Sequence, residues 1–157
     1  MSFTAADLDR SVGRLLSAMG YAVLSEATLG NGRRADLLGV DAAGALAIVE
    51  IKVSVADLRG DAKWPDYLDY CDRFWFAVPP SLDAALLEAA AFQPQRVGLI
   101  RADRFEAVEL RAPVSTPLAP ARRKAETLRF ARRAAERLRF QRDDASSALR
   151  PASVSML

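Results

Sequence analysis

The sequence predicts an α/β body followed by a basic helix. Its 157 residues, 51% of them apolar and 27% charged, suffice for one core of ordinary size. A segment with helical periodicity opens the chain, and three strand-like segments separated by short turns follow it. Up to Pro117 there are 12 basic and 16 acidic residues, and after it 10 basic and 4 acidic. We therefore expect a folded domain at 1–113, a linker at 114–120 and a basic helix at 121–142.

The first helix is predicted over residues 4–19. Thr4 is suited to cap its start, and Gly20 is suited to end it. The apolar residues recur at helical spacing, at Leu8, Val12, Leu15, Leu16 and Met19. The helix should therefore bury one face against the rest of the domain.

Three strands are predicted next, over residues 21–29, 34–40 and 45–53. Gly30, Asn31 and Gly32 supply the first turn, and residues 41–44 supply the second. The third strand is a continuous apolar run that ends in Glu50, Ile51 and Lys52. Short turns of this kind indicate an antiparallel meander.

The second half of the body alternates between helix and strand. We expect a helix over the second half of 57–71, a strand at 73–78, a helix from Ser81 to Phe92, and strands at 97–100 and 105–110. The predicted order is α, β, β, β, α, β, α, β, β, and then the basic helix. Residues 143–157, rich in Asp, Ser and Ala, are predicted to be disordered.

The amino-acid composition excludes several classes of function. The chain has no histidine, which excludes His-dependent triads and His-ligated zinc sites. Its one cysteine, Cys71, cannot form an intramolecular disulfide. Neither a membrane span nor a secretion signal is indicated, so we expect a cytoplasmic protein. Any chemistry must use carboxylates, lysine, tyrosine and oxygen-ligated metals such as Mg²⁺ or Mn²⁺.

The end of the third strand carries the residues that suggest chemistry. Side chains two apart on a strand project from the same face, so Glu50 and Lys52 should point together. Antiparallel pairing around the 41–44 turn would bring Asp36 beside them. Such a triplet also arises by chance, and the alternative interpretation is an ion pair that protects an edge strand.

This set of groups is what phosphodiester hydrolysis requires. Asp36, Glu50 and the main-chain carbonyl of Ile51 could hold Mg²⁺ or Mn²⁺ through oxygen atoms. Lys52 would orient water and stabilise negative charge on the phosphate.

Two stretches of sequence resemble a known family. The order helix, three-stranded meander, helix, strand, with Asp36 on the second strand and Glu50-Ile51-Lys52 on the third, resembles the PD-(D/E)XK nuclease superfamily. More closely, GRRADLLGV and AIVEIKVSVADLRGDAKWPDYLDYCDRFWFAVP resemble the MmcB-type bacterial DNA repair proteins. The resemblance covers about residues 8–110. It implies a restriction-endonuclease-like core with a sheet extension, DNA as substrate, a divalent metal and a role in repair.

The chain departs from the superfamily pattern at two positions. Ala35 stands where a proline commonly precedes the aspartate, and Asp9 stands where many relatives carry a glutamate that assists metal binding. Asp9 is therefore one candidate for an additional metal ligand. Glu26, on the first strand beside Asp36, is the other.

Basic and aromatic residues near these acids are candidate DNA contacts. Arg33 and Arg34 precede Asp36 on the hairpin and are suited to phosphate. A further group, Lys63, Tyr67 and Tyr70, could contact the backbone from the following helix. The alternative is that Trp64, Tyr67 and Phe74 simply cover the sheet.

Three hypotheses of function follow. The first is a Mg²⁺-dependent deoxyribonuclease acting in DNA repair. The second is a non-cleaving module that binds DNA or recognises its structure within a repair assembly. The third is a protein-interaction domain, whose basic helix docks on a repair partner through an apolar seam of Ala125, Leu128, Ala135 and Leu138.

Overall fold

The computed structural model describes residues 2–150, which form a six-stranded mixed sheet flanked by helices. Three α-helices and six strands are connected by turns and three 3₁₀ helices. The elements are α1 (Ala5–Ala18), β1 (Ala22–Thr28), β2 (Arg34–Val40), β3 (Leu46–Ile51), α2 (Val55–Gly60), β4 (Arg73–Val78), β5 (Gly98–Ala102), β6 (Ala107–Arg111) and α3 (Pro120–Ala148). The 3₁₀ helices are Trp64–Tyr70, Ala84–Glu88 and Ala90–Phe92.

Helix α1 begins as its sequence predicts. The Thr4 side chain accepts a hydrogen bond from the Asp7 main-chain N–H, and the Asp7 carboxylate accepts one from the Thr4 N–H. Such reciprocal capping satisfies two main-chain donors that the first helical turn leaves without partners. Leu8, Val12 and Leu16 are fully buried on the face towards the sheet.

The strands lie in the sheet in chain order, from β1 to β6. β1, β2 and β3 form an antiparallel meander, β4 and β5 continue it in parallel with β3, and β6 returns antiparallel. The predicted α/β class and the order helix, meander, helix, strand are confirmed. β3 is an internal strand buried along its whole length, so the edge-strand interpretation of Glu50 and Lys52 is wrong.

Two predicted helices differ from the structure. The helix expected in the second half of 57–71 is a 3₁₀ helix, and the preceding α2, capped by Ser54, was not predicted. The predicted helix from Ser81 to Phe92 is instead two 3₁₀ turns, capped by Asp83 and interrupted at Ala89, which has extended backbone angles.

The core has two layers, one on each face of the sheet. On one face α1 packs against side chains of the central strands. On the other face an aromatic group of Trp64, Tyr67, Phe74 and Phe76 is closely packed, with the Trp64 and Phe76 rings 4.9 Å apart. The interpretation that these aromatic residues cover the sheet is therefore confirmed.

Helix α3 extends further than predicted and presents a different face to the body. It continues to Ala148, six residues into the segment predicted to be disordered, while residues 151–157 of that prediction lie outside the described residues. The predicted seam points to solvent, because the side chains of Leu128 and Leu138 are 58% and 57% exposed. The side towards the body carries Glu126 and Arg137 instead. Within residues 2–150 no helix is long and apolar enough to cross a membrane.

The predicted linker before α3 contacts the body. The Thr116 N–H donates to the main-chain carbonyl of Asp72, and the Leu118 N–H donates to its carboxylate. Arg123, in the first turn of α3, pairs with both oxygens of the same carboxylate. Burial raises the pKa of Asp72, but the hydrogen bonds from Arg123, Leu46 and Leu118 and the charge of Arg123 outweigh burial and keep this pKa below its usual value.

Candidate active site

Asp36 and Glu50 lie opposite each other on β2 and β3, as the hairpin pairing predicts. The neighbouring pair Leu37 and Val49 fixes this register. The Asp36 N–H donates to Glu50 Oε1 at 3.0 Å, and the Ile51 N–H donates to Asp36 Oδ2 at 2.8 Å. Each carboxylate is therefore held by a main-chain donor close to the other acid.

The two acids sit in an environment that disfavours their charged forms. Glu50 is only 5% exposed, and burial together with the negative charge of Asp36 raises its pKa to about 8. Burial also raises the pKa of Asp36, although the hydrogen bond from Ile51 and the charge of Lys52 act in the opposite direction. An added positive charge beside the pair would favour the ionised form of both acids.

Lys52 follows Glu50 by two residues and is also buried. Its main-chain N–H donates to the Ala77 carbonyl, which holds the Lys52 backbone at the end of β3. The ammonium lies 2.7 Å from Asp61 Oδ2 and 4.0 Å from Asp57 Oδ1. Burial lowers the pKa of Lys52, but the bond to Asp61 and the nearby acids outweigh burial and raise it. The lysine therefore stays charged.

Asp57 and Asp61 are site residues that the sequence interpretation missed. They belong to α2 and its C-terminal end, a helix that was not predicted. One signal could have found Asp57, because Ser54 followed three residues later by an acid is a helix-capping pattern. No local pattern indicates that Asp61 binds Lys52.

A cavity of about 380 Å³ opens beside the acid pair. It is lined by Ala5, Ala6, Asp9, Arg10, Ser25, Glu26, Asp36 and Ile51. Both candidates for an additional acid, Asp9 and Glu26, therefore face the space next to Asp36. Asp9 Oδ2 accepts a hydrogen bond from the Ser25 hydroxyl at 3.0 Å.

Glu26 has an unusual backbone conformation. Its φ of 51° lies in the left-handed region, and it interrupts the pairing of β1 with β2 at the position opposite Asp36. Residues held in this conformation occur often at active sites, where the surrounding structure holds the strain. The Glu26 carboxylate lies 3.9 Å from the guanidinium of Arg34.

The residues that could hold a cation are Asp36, Glu50 and the main-chain carbonyl of Ile51. Within residues 2–150, Asp36 Oδ1 and Glu50 Oε2 accept no hydrogen bond from the protein. The same part of the chain contains no group of three or more acidic, cysteine or histidine side chains arranged to hold a metal ion. A donor set of two carboxylates suits Mg²⁺, which commonly takes one or two carboxylates and keeps several waters.

The five candidate DNA contacts have different environments. Arg34 and Lys63 are exposed, while Arg33 is half-buried and pairs with Asp66 at 3.0 Å. Tyr70 is half-buried, and the guanidinium of Arg122 lies over its ring at 4.3 Å.

Tyr67 corrects the prediction, because its side chain is in the core. Its hydroxyl donates to the Arg34 carbonyl at 2.9 Å, and burial with the charges of Glu50 and Asp36 raises its pKa to about 12. Tyr67 therefore supports the strand that carries Asp36 and does not face a ligand in solution.

Helix α3 contacts the hairpin beside the cavity through polar side chains. Arg137 donates to the carbonyls of Ser25 and Glu26, the latter at 2.8 Å. Further along the hairpin, Glu126 Oε1 accepts the N–H of Gly30 at 3.0 Å. Sequence periodicity gives no signal for these contacts, because each joins residues far apart in the chain.

Comparison with known proteins gives a family and a similar structure. A family model described as "DNA repair protein MmcB-like" matches residues 1–145. A solved protein of unknown function from Silicibacter pomeroyi is 39% identical with a TM-score of 0.79, over 88% of this chain and 90% of that one. A repair endonuclease from Pyrococcus abyssi is 18% identical with a TM-score of 0.40, over 68% of this chain and 48% of that one. No curated protein matches the chain.

Proposed function

We propose that this chain, which belongs to the MmcB-like DNA repair protein family, is a divalent-metal-dependent deoxyribonuclease. The observation that carries the proposal is the geometry of Asp36 and Glu50. Main-chain donors fix both carboxylates, Asp36 lines the cavity, and each acid keeps one oxygen that has no partner within residues 2–150. A protein that only binds a polyanion has no physical need for two acids in this arrangement.

The metal of this proposal is Mg²⁺ or Mn²⁺, held by Asp36, Glu50 and the Ile51 carbonyl. When bound, the cation would supply an activated water and neutralise charge on a phosphate. The two carboxylates would orient this centre, because their hydrogen bonds to the Asp36 and Ile51 N–H groups leave them little freedom. Asp9 or Glu26 could add a ligand through water from the other side of the cavity.

Lys52 supplies the fixed positive charge of the site. Its bonds to Asp61 and the strand hold the ammonium beside Glu50, where it would orient water and stabilise negative charge on the phosphate oxygens. Its charge persists at neutral pH, because its pKa is raised.

A non-cleaving DNA-binding module is the second candidate function. The observation that favours it is the absence, within residues 2–150, of a third acid grouped with Asp36 and Glu50. In this alternative the protein would bind DNA without cleaving it, although Asp36 and Glu50 are present. Docking of a repair partner on the exposed Leu128 and Leu138 also stays a prediction.

A cleavage assay separates the two candidates. Supercoiled, nicked, gapped and branched DNA would be incubated with the full chain in Mg²⁺ or Mn²⁺, in parallel with Asp36→Ala and Lys52→Ala. We expect metal-dependent cleavage by the wild type and a loss of about 100-fold or more in each variant. Glu106→Gln, which changes an exposed acid away from the cavity, serves as the control. No difference between wild type and variants would reject the nuclease and favour the binding module.

A further inference from the structure

The position of α3 relative to the β1–β2 hairpin is fixed by polar contacts at two places along the helix. Glu126 is 1% exposed and accepts the Gly30 N–H. The fit is tight, since a Cβ placed at Gly30 would lie 2.6 Å from Glu126 Oε1. About three turns beyond this contact, towards the C-terminal end, α3 is held again, where Arg137 binds the carbonyls of Ser25 and Glu26. The flank of α3 beside the hairpin is therefore a defined surface.

That flank carries a group of arginines around a concavity of about 210 Å³. The concavity is lined by Thr28, Arg129, Arg132, Arg133 and Glu136. Arg129 lies 3.6 Å from the buried Glu126 carboxylate. Neither Arg132 nor Arg133 forms an ion pair with any acid in residues 2–150. Three arginines and one glutamate, Glu136, thus line the concavity, and with the Glu126 carboxylate beside Arg129 the net charge is still positive.

The concavity is connected to the candidate active site along the hairpin. Thr28, on its wall, pairs with Arg34 across β1 and β2. The guanidinium of Arg34 approaches the Glu26 carboxylate to 3.9 Å, and Glu26 lines the cavity that contains Asp36. Thr28 and Glu26 are two strand residues apart, a separation of about 7 Å. A basic path therefore leads from α3 to the acid pair.

We propose that Arg34, Arg129, Arg132 and Arg133 bind the sugar-phosphate backbone of DNA beside the site of cleavage. The proposal rests on the proposed function, for which it names the surface that holds the substrate. Guanidinium groups suit this ligand because their planar donors match phosphate oxygens. Contacts to phosphate fix the register of a nucleic acid without reading its sequence. The surface would thus hold DNA so that one phosphate reaches the cavity.

The test compares two double variants of the full chain. Arg132→Glu with Arg133→Glu reverses two charges at the concavity. Lys124→Glu with Arg142→Glu makes the same change in charge on the same helix, at two exposed positions. Lys124 and Arg142 are five helical turns apart and so share one side of α3, about 180° around the axis from Arg133.

Binding would be followed by fluorescence anisotropy of a labelled DNA duplex in EDTA, between about 50 and 200 mM salt. We expect the Arg132/Arg133 variant to bind at least about tenfold more weakly, and its plot of log affinity against log salt to be shallower by about two. The Lys124/Arg142 variant should stay within about threefold of the wild type. Equal weakening of both variants, no weakening of either, or no binding by the wild type would overturn the proposal.

Two further arms keep the outcome interpretable. Arg132→Gln with Arg133→Gln removes the two charges without adding acids and should also weaken DNA binding. Circular dichroism checks that each variant is helical. Because binding is measured in EDTA, it requires neither metal nor cleavage. The arginine surface is supported if the Arg132/Arg133 variant loses DNA binding but still cleaves DNA, with metal, when the DNA concentration is high. Absence of cleavage in the wild type with the expected binding pattern rejects the nuclease and keeps the surface.

Discussion

Glu50 and Glu126 are both buried glutamates, yet their surroundings differ in kind. Glu50 is next to another carboxylate at the mouth of a cavity, and its nearest lysine is bound to Asp61. Glu126 accepts a main-chain N–H and has the guanidinium of Arg129 3.6 Å away. The first acid thus lies beside like charge, whereas the second lies beside a guanidinium and keeps a buried oxygen, Oε2, without a hydrogen-bond partner within residues 2–150. Burial alone therefore does not identify a functional acid, whereas a second carboxylate beside it does.

The largest expected effect comes from changing each glutamate to glutamine and measuring DNA cleavage. Glu50→Gln removes the charge at nearly constant shape, and we expect the rate of metal-dependent plasmid nicking to fall about 100-fold or more. Glu126→Gln keeps an oxygen acceptor for Gly30 and should change the rate less than about threefold. Similar losses in both variants would remove the distinction between the two acids.

The second prediction concerns stability against pH in the metal-free protein. The folded-state pKa of Glu50 is about 8, above its ordinary value of 4.5, so between these values the folded state retains a proton that the unfolded state has lost. The contribution of Glu50 to stability is therefore complete below about pH 4.5 and decreases as pH rises to 8, by up to about 1.4 kcal/mol per unit.

Urea unfolding in EDTA at several pH values measures this slope. Glu50→Gln should flatten it, whereas Glu126→Gln should leave it unchanged. A wild-type free energy of unfolding that rises between pH 5 and about 8 would contradict the sign of the shift.

The third prediction concerns the contribution of Glu126 to stability. Glu126→Ala removes the buried acceptor of the Gly30 N–H at a part-buried contact, and we expect the free energy of unfolding to fall by about 1 to 3 kcal/mol. Glu136→Ala, an exposed change on the same helix, should stay within about 0.5 kcal/mol. Equal values for the two variants would show that the contact with Gly30 does not hold α3.

The smallest effect is expected at the cation beside Glu126. The side chain of Arg129 is 56% exposed, so its pairing with Glu126 is screened by water. Arg129→Gln should therefore lower the free energy of unfolding by less than about 1 kcal/mol, measured in urea. A larger loss would mean that the charge of Arg129, more than the Gly30 N–H, stabilises the buried acid.

The sequence predicts the hairpin that builds the acid pair because its signals are local. Glycine and asparagine mark the turn after β1, and the predicted bounds of β2, Arg34 to Val40, agree with the structure. Period-two alternation and a short turn then determine that Asp36 faces Glu50. The predicted membership of the MmcB-like family, based on the stretches around these residues, is confirmed by the family match.

Predictions from helix propensity fail where contacts with the rest of the fold determine the secondary structure. Residues 81–92 contain good helix formers, but the two buried side chains, Leu82 and Leu87, are five residues apart, and Ala84, Leu86 and Phe92 pack on the core only in part. An α-helix would place such residues on different sides, so the chain forms two 3₁₀ turns instead. On α3 the seam of Leu128 and Leu138 stays exposed, because polar contacts of Glu126 and Arg137 orient the helix on the body.

Titration calorimetry with Mn²⁺ tests the central claim, that Asp36 and Glu50 hold a divalent cation, most directly. We expect the full-length wild type to bind the ion, and Asp36→Asn and Glu50→Gln each to weaken that binding by about tenfold or more, because each removes a ligand charge. Glu126→Gln should bind as the wild type does. Unchanged affinity in both site variants, or no binding by the wild type, would contradict a metal site at this pair of acids.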